Sequence, residues 1–165
     1  MRKILAAAAA GLIALSCSTA IAASMAALTS METQVTKQAN EQFAIKMQGE
    51  GNGAFKMEGS KLTVLRDGFF NISAAAQVGG NGSATGDVYM WMRVNGKDVP
   101  ESNSQQTIPS AKFTAVLVAQ TGMDLKKNDV VEFVISGTAP GLGIVAFKPA
   151  NMPAVPSIIF SIFEL

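Results

Sequence analysis

The chain has 165 residues, of which 48% are hydrophobic and 15% charged, and its formal net charge is +1. This length suits one domain with a sizeable core. The sequence has no His, which excludes histidine triads, histidine metal sites and imidazole acid–base catalysis. The 13 basic and 12 acidic residues form no basic stripe, so a nucleic-acid partner is not expected.

Residues 1–23 have the pattern of a secretory signal peptide. A basic start at 2–3 precedes an apolar run at 4–15 and a small-x-small cleavage motif at 20–22. The apolar run is shorter than the roughly 20 residues that a membrane span needs. A loose likeness to a bacterial lipoprotein box leaves a lipid anchor on Cys17 as the alternative to ordinary cleavage. Both interpretations predict export, giving a secreted, periplasmic or cell-surface protein.

Removal of this segment would leave a mature chain without cysteine. Loss of Arg2 and Lys3 leaves 11 of the 13 basic residues against 12 acidic ones, a net charge near −1. Without Cys17 there is no thiol nucleophile, thiolate metal ligand or disulfide. We therefore expect packing and subunit association to stabilise the mature protein.

Residues 24–42 have the only plausible helical pattern. Four apolar residues recur at spacings of three and four, which is typical of one helix face: Leu28, Met31, Val35 and Ala39. This predicts that residues 24–40 form either a short helical stalk or a linker. The folded domain is then expected to cover residues 41–165.

From residue 41 onward the sequence favours short strands. Six segments have strand-like sequences, with the clearest period-two spacing of apolar residues in 70–78: 43–47, 61–65, 70–78, 88–94, 113–120 and 130–135. Turns rich in Gly, Pro and Asn separate them, and Asn95-Gly96 is a strong hairpin signal. The pattern predicts an all-β, antiparallel sandwich, and a jelly roll of about eight to ten strands matches it.

The segment 88–94 is apolar on both sides of the predicted strand. Because strand side chains alternate, one side carries Val88, Met90, Met92 and Val94. The other side carries Tyr89, Trp91 and Arg93, which include the only Tyr and the only Trp of the chain. A solvated sheet face would carry polar residues there. We therefore expect a second layer or another subunit to cover this side.

The C-terminal segment is also apolar on both sides. Phe160 and Ile162 alternate with Ile159, Phe163 and Leu165, so one set is expected in the core and the other in an interface. The period alone does not decide which set is which. The candidates for a ligand site or subunit interface are Tyr89, Trp91, Arg93, Phe160 and Phe163.

Four segments in a particular order resemble one protein family. They are LRDGFFNISAAAQV, VYMWMRVNGKDV, KFTAVLVAQTGMDLKKNDVVEFVI and PSIIFSIFEL. Their order and spacing resemble the jelly-roll head shared by complement component one-q and tumour necrosis factor, and bacterial and phage versions look most similar. The likeness covers roughly residues 41–165. Asn128 replaces the usual Gly before Asp129, which the left-handed backbone tolerance of Asn accommodates.

The resemblance implies a homotrimer in which one sheet of each subunit packs around a three-fold axis. Such packing would explain strands that are apolar on both sides. It also implies a non-enzymatic head that presents loops to a protein or glycan ligand. No collagen-like stalk precedes the head, and the family's recognition surfaces transfer to no residue here.

The carboxylate residues of the sequence favour a binding role over a catalytic one. Asp87, Asp98, Asp124 and Asp129 lie beside predicted turns, where turn and solvent roles are common, and no catalytic carboxylate pair is evident. No cofactor is expected, although a calcium site of loop carboxylates stays open. The alternative function is a monomeric carbohydrate-binding sandwich that uses Tyr89 and Trp91 as its platform.

Overall fold

The computed structural model describes residues 24–165, which form 14 β-strands and no helix. The strands make two antiparallel sheets of seven strands each, and the predicted all-β antiparallel sandwich is confirmed. The segment interpreted as a signal peptide, with Cys17, lies outside the described residues. Within the described residues there is no helix that could span a membrane.

The first sheet has β7 (Gly68–Gly80) at its centre. In spatial order six of its strands are β2 (Gln34–Val35), β13 (Leu142–Ile144), β7, β14 (Ile158–Glu164), β1 (Met25–Ser30) and β4 (Gln48–Gly51). The seventh strand, β11 (Thr114–Leu125), pairs with β7 along its whole length.

The second sheet has β8 (Gly86–Val94) and β12 (Val130–Gly137) at its centre. Its path runs through β10 (Ser104–Ile108), β8, β12, β6 (Lys61–Val64) and β5 (Phe55–Glu58). Two short strands complete it: β3 (Gln42–Ala44) pairs with β12, and β9 (Lys97–Asp98) pairs with β8.

The core lies between the two sheets and is built by the period-two alternation of both. In β7 the inward side chains are fully buried: Phe70, Ile72, Ala74, Ala76 and Val78. From the facing strands, Phe133 and Phe160 meet edge to face with their ring centroids 5.5 Å apart. Phe160 is therefore a core residue, and its assignment as an interface or ligand-binding candidate is wrong.

Residues 25–30 form strand β1, so the expected helical stalk or linker is also wrong. β1 lies between β14 and β4, with Leu28 opposite Phe160 on one side and Gly49 on the other. Ala26 and Leu28 are buried with a period of two, whereas Met31 is exposed. Hydrogen bonding to two neighbouring strands outweighs a weak helical spacing, and the domain therefore begins well before residue 41.

Candidate functional site

Tyr89, Trp91 and Arg93 lie on β8 and point away from the main core. Val88, Met90 and Met92, which alternate with them, are fully buried between the sheets. Strand pairing places Ser136 of β12 and Gln105 of β10 on either side of Tyr89. Gln42 of β3 pairs with Ser136 in turn, so one row of the sheet carries these four side chains on the same face.

The chain itself encloses Trp91. The side chain is only 8% exposed, and Val134, its cross-strand neighbour, is fully buried. Both lie outside the cluster of residues that forms the main core, so they make a small second core on the outer face. Of the two covers expected for Trp91, a second layer or another subunit, the chain itself supplies the first, so Trp91 requires no partner subunit.

A hairpin and the loop after it provide this cover. Asn95 and Gly96 have φ values of 51° and 75° and turn β8 back into β9, because their left-handed conformations suit a tight two-residue hairpin. The Val99 N–H donates to the Met92 carbonyl oxygen at 2.9 Å. The Met92 N–H donates to Ser102 Oγ at 3.0 Å. These bonds hold residues 97–103 against β8.

Asp98 ties the outer-face residues together. Its Oδ1 accepts hydrogen bonds from Trp91 Nε1 and from Arg93 Nε, each at 2.7 Å. The Arg93 guanidinium also lies 6.0 Å from the centre of the Trp91 ring and donates to Gln42 Oε1 at 3.3 Å. The bonds from Arg93 and then Trp91 lower the pKa of Asp98, so this carboxylate is charged at neutral pH.

An open cleft of about 410 Å³ lies beside this network, and we call it the Trp91 cleft. Tyr89 and Trp91 provide its aromatic lining, and Val99 adds an aliphatic one. Its polar lining comes from three parts of the chain and consists of Asn40, Gln42, Asp98, Asn103 and Ser136. The cleft therefore combines aromatic surface with amide, hydroxyl and carboxylate groups.

Buried hydrogen bonds hold the segment that brings Asn40 to the cleft. Thr36 Oγ1 is buried and donates to the carbonyl oxygens of Ala139 and Leu142 at 2.8 and 3.1 Å. The Asn40 N–H donates to the Gly137 carbonyl oxygen at 2.7 Å. Asn40 itself has a φ of 62°, a left-handed conformation that Asn tolerates better than most residues. The loop is thereby docked on the end of β12.

The predicted candidates divide between two sites and the core. Tyr89, Trp91 and Arg93 lie together at the Trp91 cleft, whereas Phe163 lies on the outer side of the other sheet. Sequence reasoning missed Asn40, Gln42 and Asn103. Polar residues in loops are common, and no local pattern marked these three as neighbours of the aromatic pair.

The outer side of the first sheet is the second notable surface. Its four neighbouring strands β1, β14, β7 and β11 expose large apolar side chains on this side: Met25, Phe69, Val116, Val118, Ile159 and Phe163. We call this surface the exposed sheet face. Strand pairing places Ile159 between Thr29 and Ala75, with Val118 beyond Ala75, and it places Phe163 beside Met25. A row of polar side chains lies between these two groups and consists of Ser161, Ser73 and Gln120.

Charged residues are scarce on this face. On the four strands, among the residues that the structure describes, Asp124 is the only charged side chain that alternation places on the exposed side. Single exposed apolar side chains are normal on monomeric proteins. Six large ones on one side of one sheet, with one charged side chain among them, suit contact with another molecule.

The described residues bring together no cluster of metal-ligating side chains. Within 24–165, no three Asp, Glu, His or Cys side chains come close enough together to hold a metal ion. Buried side-chain polar atoms in the same range all have hydrogen-bond partners.

Comparison with known proteins identifies a similar fold but no related sequence. No protein-family model and no curated protein matches the sequence. Among solved structures, the crystal structure of murine APRIL at pH 5.0 is similar with a TM-score of 0.58 and 12% sequence identity, covering 87% of this chain and 99% of that chain. The crystal structure of murine APRIL at pH 8.0 gives a TM-score of 0.57, with the same identity and coverage. The TNF-like jelly-roll fold is thereby confirmed.

Proposed function

We propose that this protein is an exported, non-enzymatic binding protein whose TNF-like head assembles as a homotrimer through the exposed sheet face. The observation that carries the proposal is the set of large apolar side chains that this face exposes, of which Ile159 is 53% exposed in the single chain. The fold supports it, since the resemblance in the sequence implies packing of one sheet around a three-fold axis. Export is supported by the signal-peptide pattern of residues 1–23.

Association would replace the stabilisation that small secreted proteins often take from disulfides. Burial of apolar surface contributes about 25 cal/mol of stabilising free energy per Å². Obligate interfaces bury on the order of 2,000 Å² or more in total. Phe163 and Ile159 would be buried between subunits, and the loops at the ends of the sandwich would stay accessible.

Light scattering coupled to size-exclusion chromatography on residues 24–165 tests this proposal. We expect the mass of three chains for the unmodified protein. The variant Ile159→Arg places a charge at the centre of the exposed sheet face, and desolvating it on association is costly. We therefore expect this variant to elute with the mass of one chain while keeping its β-sheet circular dichroism.

Leu65→Arg provides the matched control. Leu65 lies just beyond the end of β6 on the second sheet and is 39% exposed, as Phe163 is on the first sheet. An added charge at Leu65 should leave the mass of the assembly unchanged. A monomeric unmodified protein at micromolar concentration, or equal masses for the two variants, would overturn the proposal.

A further inference from the structure

We propose that the Trp91 cleft binds a neutral saccharide, with Tyr89 as the ring that stacks on the sugar and with amide and carboxylate groups as its hydroxyl partners. The inference rests on the proposed role as a binding protein but is independent of its assembly. The cleft lies on the second sheet, whereas the exposed sheet face belongs to the first. Each surface can therefore be altered without touching the other.

The size of the cleft suits a small ligand. Its volume of about 410 Å³ falls within the range of roughly 300–1,000 Å³ that is typical of small-molecule sites. A protein partner would require a much larger surface, about 800 Å² on each side. A mono- or disaccharide therefore fits the cleft better than a folded partner.

The two aromatic residues have different roles in this cleft. Trp91 is nearly buried, and its indole N–H is already bonded to Asp98, so it forms a rigid floor. Tyr89 is half-buried on the same face of β8, which leaves part of its ring open to the cleft. An exposed aromatic ring offers an apolar surface with a polar tip, and a pyranose ring offers C–H groups on one face for such contact.

The polar lining supplies both donors and acceptors. The side-chain amides of Asn40, Gln42 and Asn103 each carry one acceptor oxygen and two N–H donors, and all three line the cleft. Asp98 uses Oδ1 for Trp91 and Arg93. Its side chain is 55% exposed, which leaves Oδ2 available to a ligand hydroxyl. Vicinal sugar hydroxyls require this mixture of donors and acceptors.

Charge argues for a neutral ligand. No Lys or Arg belongs to the cleft lining, and Arg93, which contacts the lining residues Asp98 and Gln42, is paired with Asp98 at 2.7 Å. An anionic ligand would meet the carboxylate without a free cation to compensate. A purely apolar ligand would leave five polar side chains of the lining without water or partner. A neutral, hydroxyl-rich ligand avoids both penalties.

The single tryptophan provides a direct readout of occupancy. Residues 24–165 labelled with ¹⁵N contain one indole N–H, that of Trp91, and maltose, cellobiose and lactose serve as neutral probes. We expect at least one of them to shift the indole resonance saturably, with a dissociation constant on the order of 1 mM. Inorganic sulfate, as the anionic probe, should leave the resonance in place.

Two variants separate stacking from general effects on the sheet. Tyr89→Ala should weaken sugar binding about tenfold, which corresponds to the loss of one aromatic contact. Gln105→Ala changes the neighbour of Tyr89 in the same row of the sheet, but Gln105 does not line the cleft, so binding should be unchanged. A well-dispersed spectrum of each variant shows that it is folded.

The outcomes for the two proposals are distinguishable on the same samples. The inference is overturned if no neutral disaccharide shifts the Trp91 resonance in a folded sample, if sulfate binds instead, or if Tyr89→Ala binds as tightly as the unmodified protein. Light scattering reports assembly independently. A monomer that still binds sugar would refute the trimer alone, and a trimer that binds none would refute the saccharide site alone.

Discussion

At the scale of single residues, Asp98 has the largest consequences for the candidate site. One carboxylate oxygen accepts from both Trp91 Nε1 and Arg93 Nε, and it thereby fixes the side chains that the sequence identified as unusual. The same contacts lower the pKa of Asp98 relative to an isolated carboxyl group. The order of the outer face should therefore depend on the ionisation of this residue.

We predict that the Asp98 contribution to stability is lost on acidification. Because the pKa is lowered in the folded state, this contribution is complete above the pKa of the unfolded chain, about 3.9. It disappears as the pH falls through the lower folded value. The fluorescence maximum of Trp91, titrated from neutral to acidic pH, should move to longer wavelength as protonation of Asp98 weakens its charge-assisted hydrogen bonds to Trp91 and Arg93.

Asp98→Ala should show the long-wavelength emission of Trp91 already at neutral pH, and its emission should be less sensitive to acid. Asp98→Asn is the matched variant, since its amide oxygen still accepts from the indole but carries no charge. An unmodified protein and an Asp98→Ala variant with the same emission at neutral pH would show that the bond to Trp91 is not what orders this face.

At the scale of elements, β1 shows how pairing partners decide local structure. The strand lies between β14 and β4, and Gly49 of β4 permits the close approach, since a Cβ at this position would lie 2.1 Å from the Ala27 carbonyl oxygen. Leu28 is buried in the main core. Residues 25–30 are thus an integral part of the first sheet.

We predict that Leu28→Ala destabilises the protein by about 2–5 kcal/mol, the usual range for truncating a buried leucine. Urea denaturation followed by circular dichroism measures the change. Met31→Ala, at an exposed position three residues later, should alter the stability by less than about 0.5 kcal/mol. Equal stabilities for the two variants would mean that this segment contributes nothing to the folded domain.

At the scale of the whole molecule, the two sheets differ in what covers their outer sides. The second sheet covers Trp91 with its own hairpin and loop, whereas the first leaves Ile159, Phe163 and Val118 exposed. No part of the described chain crosses over these three side chains. An association that protects them would make the stability of the head depend on its own concentration.

We predict that the thermal midpoint of the unmodified protein rises with protein concentration. For a trimer, a tenfold increase contributes about 1 kcal/mol per chain, which corresponds to roughly 2–4 °C for a domain of this size. The midpoint of Ile159→Arg should not depend on concentration. Scanning calorimetry at two protein concentrations measures both midpoints. A constant midpoint for the unmodified protein would contradict the proposed assembly.

The sequence alone was enough to predict the strands with strong alternation and the turns that carry special backbone angles. The alternation of β7 and β8 is a local property, and each strand lies within a few residues of its expected position. Asn128 has a φ of 74°, the left-handed conformation expected where the family usually has Gly. The turn at Asn95-Gly96 forms for the same local reason.

Tertiary structure alone decided what each strand faces. β1 is a strand because its partner β14 lies more than a hundred residues away in the chain, and no local spacing encodes that contact. Trp91, Asp98 and Asn40 come from separate segments, and only the folded chain brings them to one cleft. Composition and periodicity determined that this chain builds sheets with apolar side chains on both sides. Which side the chain itself covers is a property of long-range packing, and only the three-dimensional arrangement reveals it.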